Sequence, residues 1–111
     1  MRLNLPMPPS VNGLYFNVPG RGRVPSGNYQ RWKEAADAML WTQKRHPIVG
    51  PVAVTITLQA KGRFDLDNKV KAVLDFMVRH ALIADDNWDV VRRVTVQLGE
   101  IDGCQVDVVS I

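Results

Sequence analysis

Residues 52–60 (VAVTITLQA) and 68–82 (NKVKAVLDFMVRHAL) decide the fold of this 111-residue chain. In the first stretch, large apolar side chains alternate with small or polar ones, which predicts a β-strand with one buried face. In the second, apolar residues recur every three or four positions, which predicts an amphipathic helix. The helical stripe consists of Val70, Val73, Leu74, Met77, Ala81 and Leu82. Together the two patterns predict a strand followed by a helix that packs against it.

The chain outside this unit predicts three further strands. Residues 1–7 alternate in hydrophobicity, which predicts a short first strand. Residues 90–98 and 104–111 also alternate, and the Asp102-Gly103 pair between them is a typical turn sequence. We therefore expect the last two strands to form an antiparallel hairpin.

The remaining segments predict a long loop and a second helix. Residues 8–27 are rich in Pro, Gly, Asn and Ser, which predicts an irregular loop of the kind that is often functional in small domains. Residues 28–45 show helical spacing, with Ser26 or Asn28 as the N-cap and Pro47 beyond the end. The residues at that spacing are Tyr29, Trp32, Ala36, Met39 and Gln43.

The predicted order of elements is β-α-β-α-β-β within one domain that spans residues 1–111. Strands and helices in this order pack as two layers, which makes the fold class α/β of the α+β kind. We expect a mixed sheet with both helices packed on it.

The composition narrows the class of protein. Hydrophobic residues make up 46% of the chain and charged residues 23%, which is typical of a globular domain. No apolar run is long enough to cross a bilayer, and the N-terminal segment lacks the apolar core of a signal peptide. Cys104 is the only cysteine, so an internal disulfide is impossible. These features predict a cytoplasmic protein without a membrane partner.

The charge distribution favours a nucleic acid as the partner. The formal net charge is +3. Cations outnumber acids in the first half and surround two aspartates further on, at Arg21, Arg23, Arg31, Lys33, Lys44, Arg45, Lys61, Arg63, Lys69 and Lys71. A basic surface with a small acidic centre suits a polyanion bound together with a metal ion. A solvated surface of mixed charge is the alternative interpretation.

Asp65 and Asp67 form the centre of the candidate site. In an extended segment, residues two apart point to the same face, so the two carboxylates repel unless a positive charge lies between them. Lys71 or a divalent cation could supply that charge, and Mg²⁺ prefers such oxygen ligands. Alternatively, Asp67 is only the N-cap of the following helix, or lies one residue before a cap at Asn68.

Asp85 and Asp86 are candidates to complete a metal site. Six of the eleven acidic residues lie between positions 65 and 89, and all six are aspartates. The intervening helix, about 20 Å long, carries the chain away from Asp67. The pair can rejoin the first aspartates only if the chain doubles back or if another subunit donates one pair. A plain polar turn is the other interpretation of these residues.

Several basic and aromatic residues could contact DNA beside this centre. Lys71 could bind the scissile phosphate or could be a surface lysine paired with Asp75. Lys61, Arg63 and Lys69 would contact flanking phosphates, and Arg21 and Arg23 lie in the long basic loop. Tyr15 and Phe16, in the same loop, could stack on an unpaired base or pack on the sheet edge.

Two segments resemble the RusA family of Holliday junction resolvases. Residues 64–75 (FDLDNKVKAVLD), followed by residues 83–86 (IADD), are similar to that family's signature. Residues 8–12 (PPSVN), with Tyr15, are similar to its opening motif. Chain length and element order also agree, so the resemblance covers nearly the whole chain.

The resemblance implies a homodimeric endodeoxyribonuclease of bacterial or phage origin that makes paired nicks in four-way DNA junctions. It implies Mg²⁺ as the cofactor, with Mn²⁺ expected to substitute, and no small-molecule cofactor. Carried over to this chain, it implies that Asp65, Asp67 and Asp86 bind the metal. Asp85 would be an accessory acid and Lys71 the catalytic lysine.

One position departs from the family pattern. Phe64 precedes the first aspartate where the family often has a basic residue, which predicts weaker DNA contacts but leaves the metal-binding positions intact. Two other functions stay open at this point. One is a DNA-binding module without cleavage, in which the aspartates are caps and charge partners. The other is a flap or single-strand nuclease of the same chemistry.

Overall fold

The computed structural model describes all of residues 1–111 and contains six strands and two α-helices. Their bounds are β1 Arg2–Leu5, β2 Tyr15–Val18, β3 Gly22–Pro25, α1 Gly27–Leu40, β4 Val52–Gln59, α2 Val70–Arg79, β5 Val91–Gly99 and β6 Cys104–Ser110. Two short 3₁₀ helices lie at Val11–Gly13 and Leu66–Lys69. The α+β class is therefore confirmed.

Four strands form one mixed sheet in the order β1-β6-β4-β5. β4 runs parallel to β5 and antiparallel to β6, which in turn runs antiparallel to β1. At the centre of the sheet, Ile56 lies opposite Val96 on one side and Val106 on the other. The prediction of a mixed sheet is thus confirmed.

The predicted hairpin of the last two strands is wrong, because β4 lies between β5 and β6. Residues 100–103 cross the end of β4 instead of joining neighbouring strands. There the Gln59 N–H donates to the Gly103 carbonyl over 2.8 Å, and the Gly103 N–H donates to Gln59 Oε1 over 3.0 Å. Gly103 has a φ of 68°, and a Cβ there would lie 2.6 Å from the Leu5 carbonyl oxygen, so this close crossing requires glycine.

The predicted irregular loop over residues 8–27 is also wrong in its central part. β2 and β3 form a two-stranded antiparallel sheet that is separate from the main one. Gly20 and Gly22 both have positive φ values at its turn, where the Arg21 N–H donates to the Val18 carbonyl. The Pro, Gly and Asn content of this segment therefore reflects a tight turn between two short strands.

α1 begins as one of the two predicted caps requires and ends earlier than expected. Ser26 is the N-cap, and its Oγ accepts from the Tyr29 N–H over 3.1 Å. The helix ends at Leu40, which is fully buried. Met39, which the helical spacing placed on the apolar face, is exposed instead. Beyond the end, Gln43 bonds to both the N–H and the carbonyl of Asn4, at 2.7 Å each. This side chain covers the outer edge of β1, which a longer helix would prevent.

The chain reverses direction immediately after α2. The Leu82 N–H donates to the Met77 carbonyl and the Ala81 N–H to the Val78 carbonyl, the bonding pattern of a Schellman cap. Ala81 supplies the left-handed residue of this cap with a φ of 55°, the only positive φ at a non-glycine residue. The reversal directs residues 83–86 back along α2.

One hydrophobic core joins both helices to one face of the main sheet. It contains Leu3, Leu5, Val54, Ile56, Leu58, Val106 and Val108 from the strands and Trp32, Ala36, Leu40, Val73, Phe76 and Met77 from the helices. Within this layer the Trp32 indole N–H donates to the Pro6 carbonyl over 3.0 Å. None of the helices combines the length and the apolar character needed for a membrane span.

The left-handed residue after α2 gives a stability prediction. Ala81→Gly should raise the free energy of unfolding by about 1 kcal/mol, because glycine adopts this conformation without the Cβ clash. Chemical denaturation measures the change. Ala35→Gly, at an exposed position within α1, is the control and should lower the same quantity by about 1 kcal/mol. An equal loss in both variants would show that the cap does not strain Ala81.

Candidate active site

Asp65 and Asp67 lie just beyond the end of β4, where the buried strand gives way to a 3₁₀ helix. Asp65 occupies the N-cap position of that helix, with φ −85° and ψ 135°, but its side chain makes no capping hydrogen bond. Asp67 lies in the first turn, and its side chain has no hydrogen-bond or ion-pair partner. Both residues are exposed. The interpretation of Asp67 as the N-cap of the following helix is therefore wrong, because Lys69 occupies that position, and the carboxylates of Asp65 and Asp67 are both free to bind a ligand.

A cleft of about 620 Å³ opens beside Asp65. It is lined by Ser10, Gly62, Arg63, Phe64, Asp65 and Asn68. The cleft therefore places a carboxylate and a guanidinium in one concave, mostly polar surface. The first 3₁₀ helix packs against the second, so the segment that precedes β2 forms part of its rim.

Lys71 lies in the first turn of α2 and makes two ion pairs. Its Nζ is 3.0 Å from Asp75 Oδ1 and 3.4 Å from Asp86 Oδ2. The hydrogen bond to Asp75, together with both negative charges, raises the pKa of Lys71 above its ordinary value. The ammonium is thus held in its charged form beside the carboxylates, and its side chain is still half exposed.

Asp85 and Asp86 have different surroundings. Asp85 accepts from the Asp86 N–H over 2.7 Å and from the Asn87 side-chain amide over 3.1 Å, so its carboxylate is engaged within its own turn. Asp86 instead points to Lys71. The chain does double back after α2, and Asp86 returns to the first turn of that helix, where its side-chain contact is with Lys71 and not with Asp65 or Asp67.

Doubling back does not complete a metal-binding set within one protomer. Nowhere in the chain do three His, Cys, Asp or Glu side chains converge closely enough to hold a metal ion. Asp86 lines a second cleft, of about 310 Å³, separate from the one beside Asp65. That cleft is formed by Tyr15, Tyr29, Lys33, Asp75, Val78, Arg79 and Asp86.

The second cleft contains residues that the sequence did not identify as part of a site. Tyr29 and Lys33 lie one turn apart on α1, and the Lys33 ammonium is 4.5 Å from the Tyr29 ring centroid. Burial raises the pKa of the Tyr29 hydroxyl to about 12, so it stays protonated. The helical spacing predicted a buried role for Tyr29, and only the fold brings it beside Asp86.

The predicted DNA-contacting residues lie in three places. Arg21 and Arg23 are exposed on the turn and the second strand of the β2–β3 hairpin, and Lys61 and Arg63 are exposed between β4 and the cleft. Lys69 is half-buried, with its ammonium 5.2 Å from the centroid of the Phe64 ring, and burial lowers its pKa.

The other titratable candidates have structural roles. His80 contacts Asp37 over 2.7 Å, and Arg79 contacts the same carboxylate over 2.6 Å, which ties α2 to α1. Cys104 is fully buried, and burial raises its pKa to about 12. It is therefore a small core residue.

The donor chemistry of Asp65, in the first cleft, and of Asp67, two residues further on, fits a hard divalent cation. Carboxylate oxygens that lack other partners are the ligands that Mg²⁺ takes from proteins, with water and substrate phosphate completing its shell. Asp65 and Asp67 meet this description, whereas Asp85 is engaged by its own turn and Asp86 by Lys71. Asp65 and Asp67 are thus ligands of the type that Mg²⁺ binds. The chain does not, however, bring together the three side chains that would complete a metal site.

Comparison with known proteins identifies the family of the chain. A family model described as Endodeoxyribonuclease RusA matches residues 6–108, which include both clefts and the β2–β3 hairpin. No curated protein sequence is significantly similar to the chain. The match covers nearly the whole chain and agrees with the resemblance seen in its motifs. The chain belongs to the RusA family of endodeoxyribonucleases.

Proposed function

We propose that this protein is a Mg²⁺-dependent endonuclease that resolves four-way DNA junctions as a homodimer, in recombination and repair. The observation that carries the proposal is a pair of exposed, unpartnered carboxylates, Asp65 and Asp67, one helical turn before the charged Lys71. Membership of an endodeoxyribonuclease family supports DNA as the substrate.

The carboxylates would hold the cation at the cut. Asp65, Asp67 and Asp86 are the proposed ligands, and Mn²⁺ should substitute for Mg²⁺ because both accept oxygen donors. When bound, the ion would supply an activated water and neutralise charge on the phosphate. Asp85 holds the turn that aims Asp86, through its bond from the Asp86 N–H, and would act as an accessory acid.

Lys71 would act on the scissile phosphate. Its raised pKa keeps the ammonium charged at neutral pH, and half of the side chain is open to solvent. A cation in this position stabilises the extra negative charge that develops on the phosphate oxygens in the transition state. Asp75 and Asp86 orient the ammonium through their ion pairs.

The exposed cations would position the DNA. Arg63 lies in the cleft with Asp65, and Lys61 precedes it on the same loop. Arg21 and Arg23 would extend the basic surface through the β2–β3 hairpin, and Lys69, half-buried against Phe64, would add a further positive charge. Contacts of this kind bind phosphates without reading sequence. Phe64 lines the cleft at a position where the family often has a further cation, so the cleft has one positive charge fewer for DNA contacts.

The free edge of β5 supports a homodimer. No strand pairs with the outer edge of β5, although the edge of β1 is covered by Gln43. Val94 and Leu98 on this strand, and Leu66 beside it, are unusually exposed for large apolar residues. Such an edge is a ready surface for a second copy, and a two-fold dimer would match the symmetry of a junction cut on two opposed strands.

The decisive experiment compares a synthetic four-way junction with a linear duplex of matching sequence, each with and without Mg²⁺. We expect paired nicks in the junction only when Mg²⁺ is present, and uncut duplex under both conditions. Binding without nicking would replace the proposal by a non-cleaving DNA-binding module. Preferential cutting of flaps or single strands included in the same panel would change the substrate but keep the chemistry.

Asp67→Asn tests the metal-binding assignment. The substitution removes the charge but little of the volume, so the rate of junction cleavage should fall at least about 100-fold while the fold is retained. Denaturing gel electrophoresis of nicked strands measures the rate. Glu34→Gln neutralises an exposed acid on α1 and should leave the rate unchanged. Near wild-type cleavage by Asp67→Asn would show that the assigned site is wrong.

Lys71→Ala separates catalysis from binding. We expect cleavage to fall on the order of 100-fold, because the transition-state contact is lost, while junction affinity changes only about threefold. Single-turnover cleavage and equilibrium binding measure the two effects. Lys44→Ala, an exposed lysine beyond α1, is the matched control. Equal losses of cleavage and affinity would make Lys71 a phosphate anchor only.

A further inference from the structure

The β2–β3 hairpin stands apart from the rest of the fold. Its strands pair with each other and with no strand of the main sheet. It is fixed at its root, where the Ser26 N–H donates to the Leu14 carbonyl over 2.8 Å and Ser26 Oγ donates to the Gly13 carbonyl over 2.6 Å. Leu14 is almost fully buried, so the root is rigidly joined to the core.

The two faces of this hairpin differ. Tyr15 and Arg23 share the inner face, where Arg23 lies 4.6 Å from the Tyr15 ring centroid and Tyr15 packs edge-on against Tyr29 at 5.6 Å. Phe16 lies on the opposite face, across from Val24. Phe16 is 51% exposed, so half of its ring is open to a partner. The inner face thus explains how the hairpin is held, whereas the outer face leaves Phe16 accessible.

The charge around the hairpin identifies the kind of partner. Residues 1–33 contain no acidic residue, and Arg21 lies exposed at the hairpin turn. A positively charged segment without acids favours a polyanionic partner. The position of the hairpin also favours DNA as the partner. Its root follows the 3₁₀ helix Val11–Gly13, which packs at the rim of the Asp65 cleft. Tyr15, the residue before Phe16, lines the cleft that contains Asp86, so the hairpin adjoins the proposed cutting site.

We infer that Phe16 stacks on a base unstacked at the branch point of the DNA, while Arg21 contacts a phosphate of the adjoining duplex arm. This inference rests on the proposed function and makes Phe16 the residue that distinguishes branched DNA from linear duplex. Exposed apolar side chains on DNA-binding arms open base steps in this way, and aromatic rings stack on bases of any sequence. A continuous duplex offers no open step, so Phe16 adds little to duplex binding.

The test uses a junction with 2-aminopurine next to the branch point, in EDTA so that no strand is cut. Wild-type protein should raise the fluorescence of this base analogue as it unstacks. Phe16→Ala should abolish the rise and lower the ratio of junction to duplex affinity about tenfold, with duplex affinity unchanged. Phe16→Leu should give an intermediate result, because it keeps apolar bulk without the ring. Trp41→Ala, an exposed aromatic beyond the far end of α1, is the control and should behave as wild type.

Three results would overturn the inference. One is an unchanged fluorescence rise and affinity ratio in Phe16→Ala, and another is no rise with wild-type protein. The third is a change in oligomeric state in Phe16→Ala, measured by analytical ultracentrifugation, since the face would then be a contact between copies. The proposed function would fail in a different measurement, since its failure would appear as no Mg²⁺-dependent junction cleavage by the wild-type protein.

Discussion

The structure depends on β4 having a hydrogen-bonded neighbour on each side. Its alternate residues Val52, Val54, Ile56 and Leu58 are at most 1% exposed, so the strand can exist only inside a sheet with helices on its apolar face. Where the strand leaves that environment, the chain enters solvent within a few residues. The abrupt change sets Asp65 and Asp67 at the surface, a few residues beyond the end of a buried strand.

A second constraint is the reversal after α2. The left-handed residue at Ala81 costs conformational energy, yet it turns the chain so that Asp86 meets Lys71. The ion pairs then hold the ammonium charged and aimed between two carboxylates. The same contact holds the loop that carries Asp86 against the first turn of α2.

The sequence predicted the elements and the acidic centre better than the pairing of strands. Alternation in 90–98 and 104–111 reports which faces are buried, but it contains no information about neighbours, so the two strands were wrongly paired with each other. Gly103 was correctly placed at a turn, and only its bonds to Gln59 reveal that the turn crosses another strand. The hairpin within 8–27 was missed because its strands are short and half exposed, which gives weak periodicity.

Spacing in the sequence indicated one contact of the candidate site and not the others. The i,i+4 spacing predicted the pair of Lys71 with Asp75, whereas the pair of Lys71 with Asp86, and the lack of one with Asp65 or Asp67, depend on the fold. Tyr29 and Lys33 reach Asp86 only through the packing of α1 against α2.

The burial of Cys104 has a consequence for spectroscopy. With its thiol sealed in the core and protonated far above neutral pH, the native fold presents no nucleophilic sulfur to solvent. A cysteine introduced at the turn of the hairpin would therefore be the only site for a thiol-reactive dye or spin label. Distances from that site could be followed without first removing the natural residue from the core.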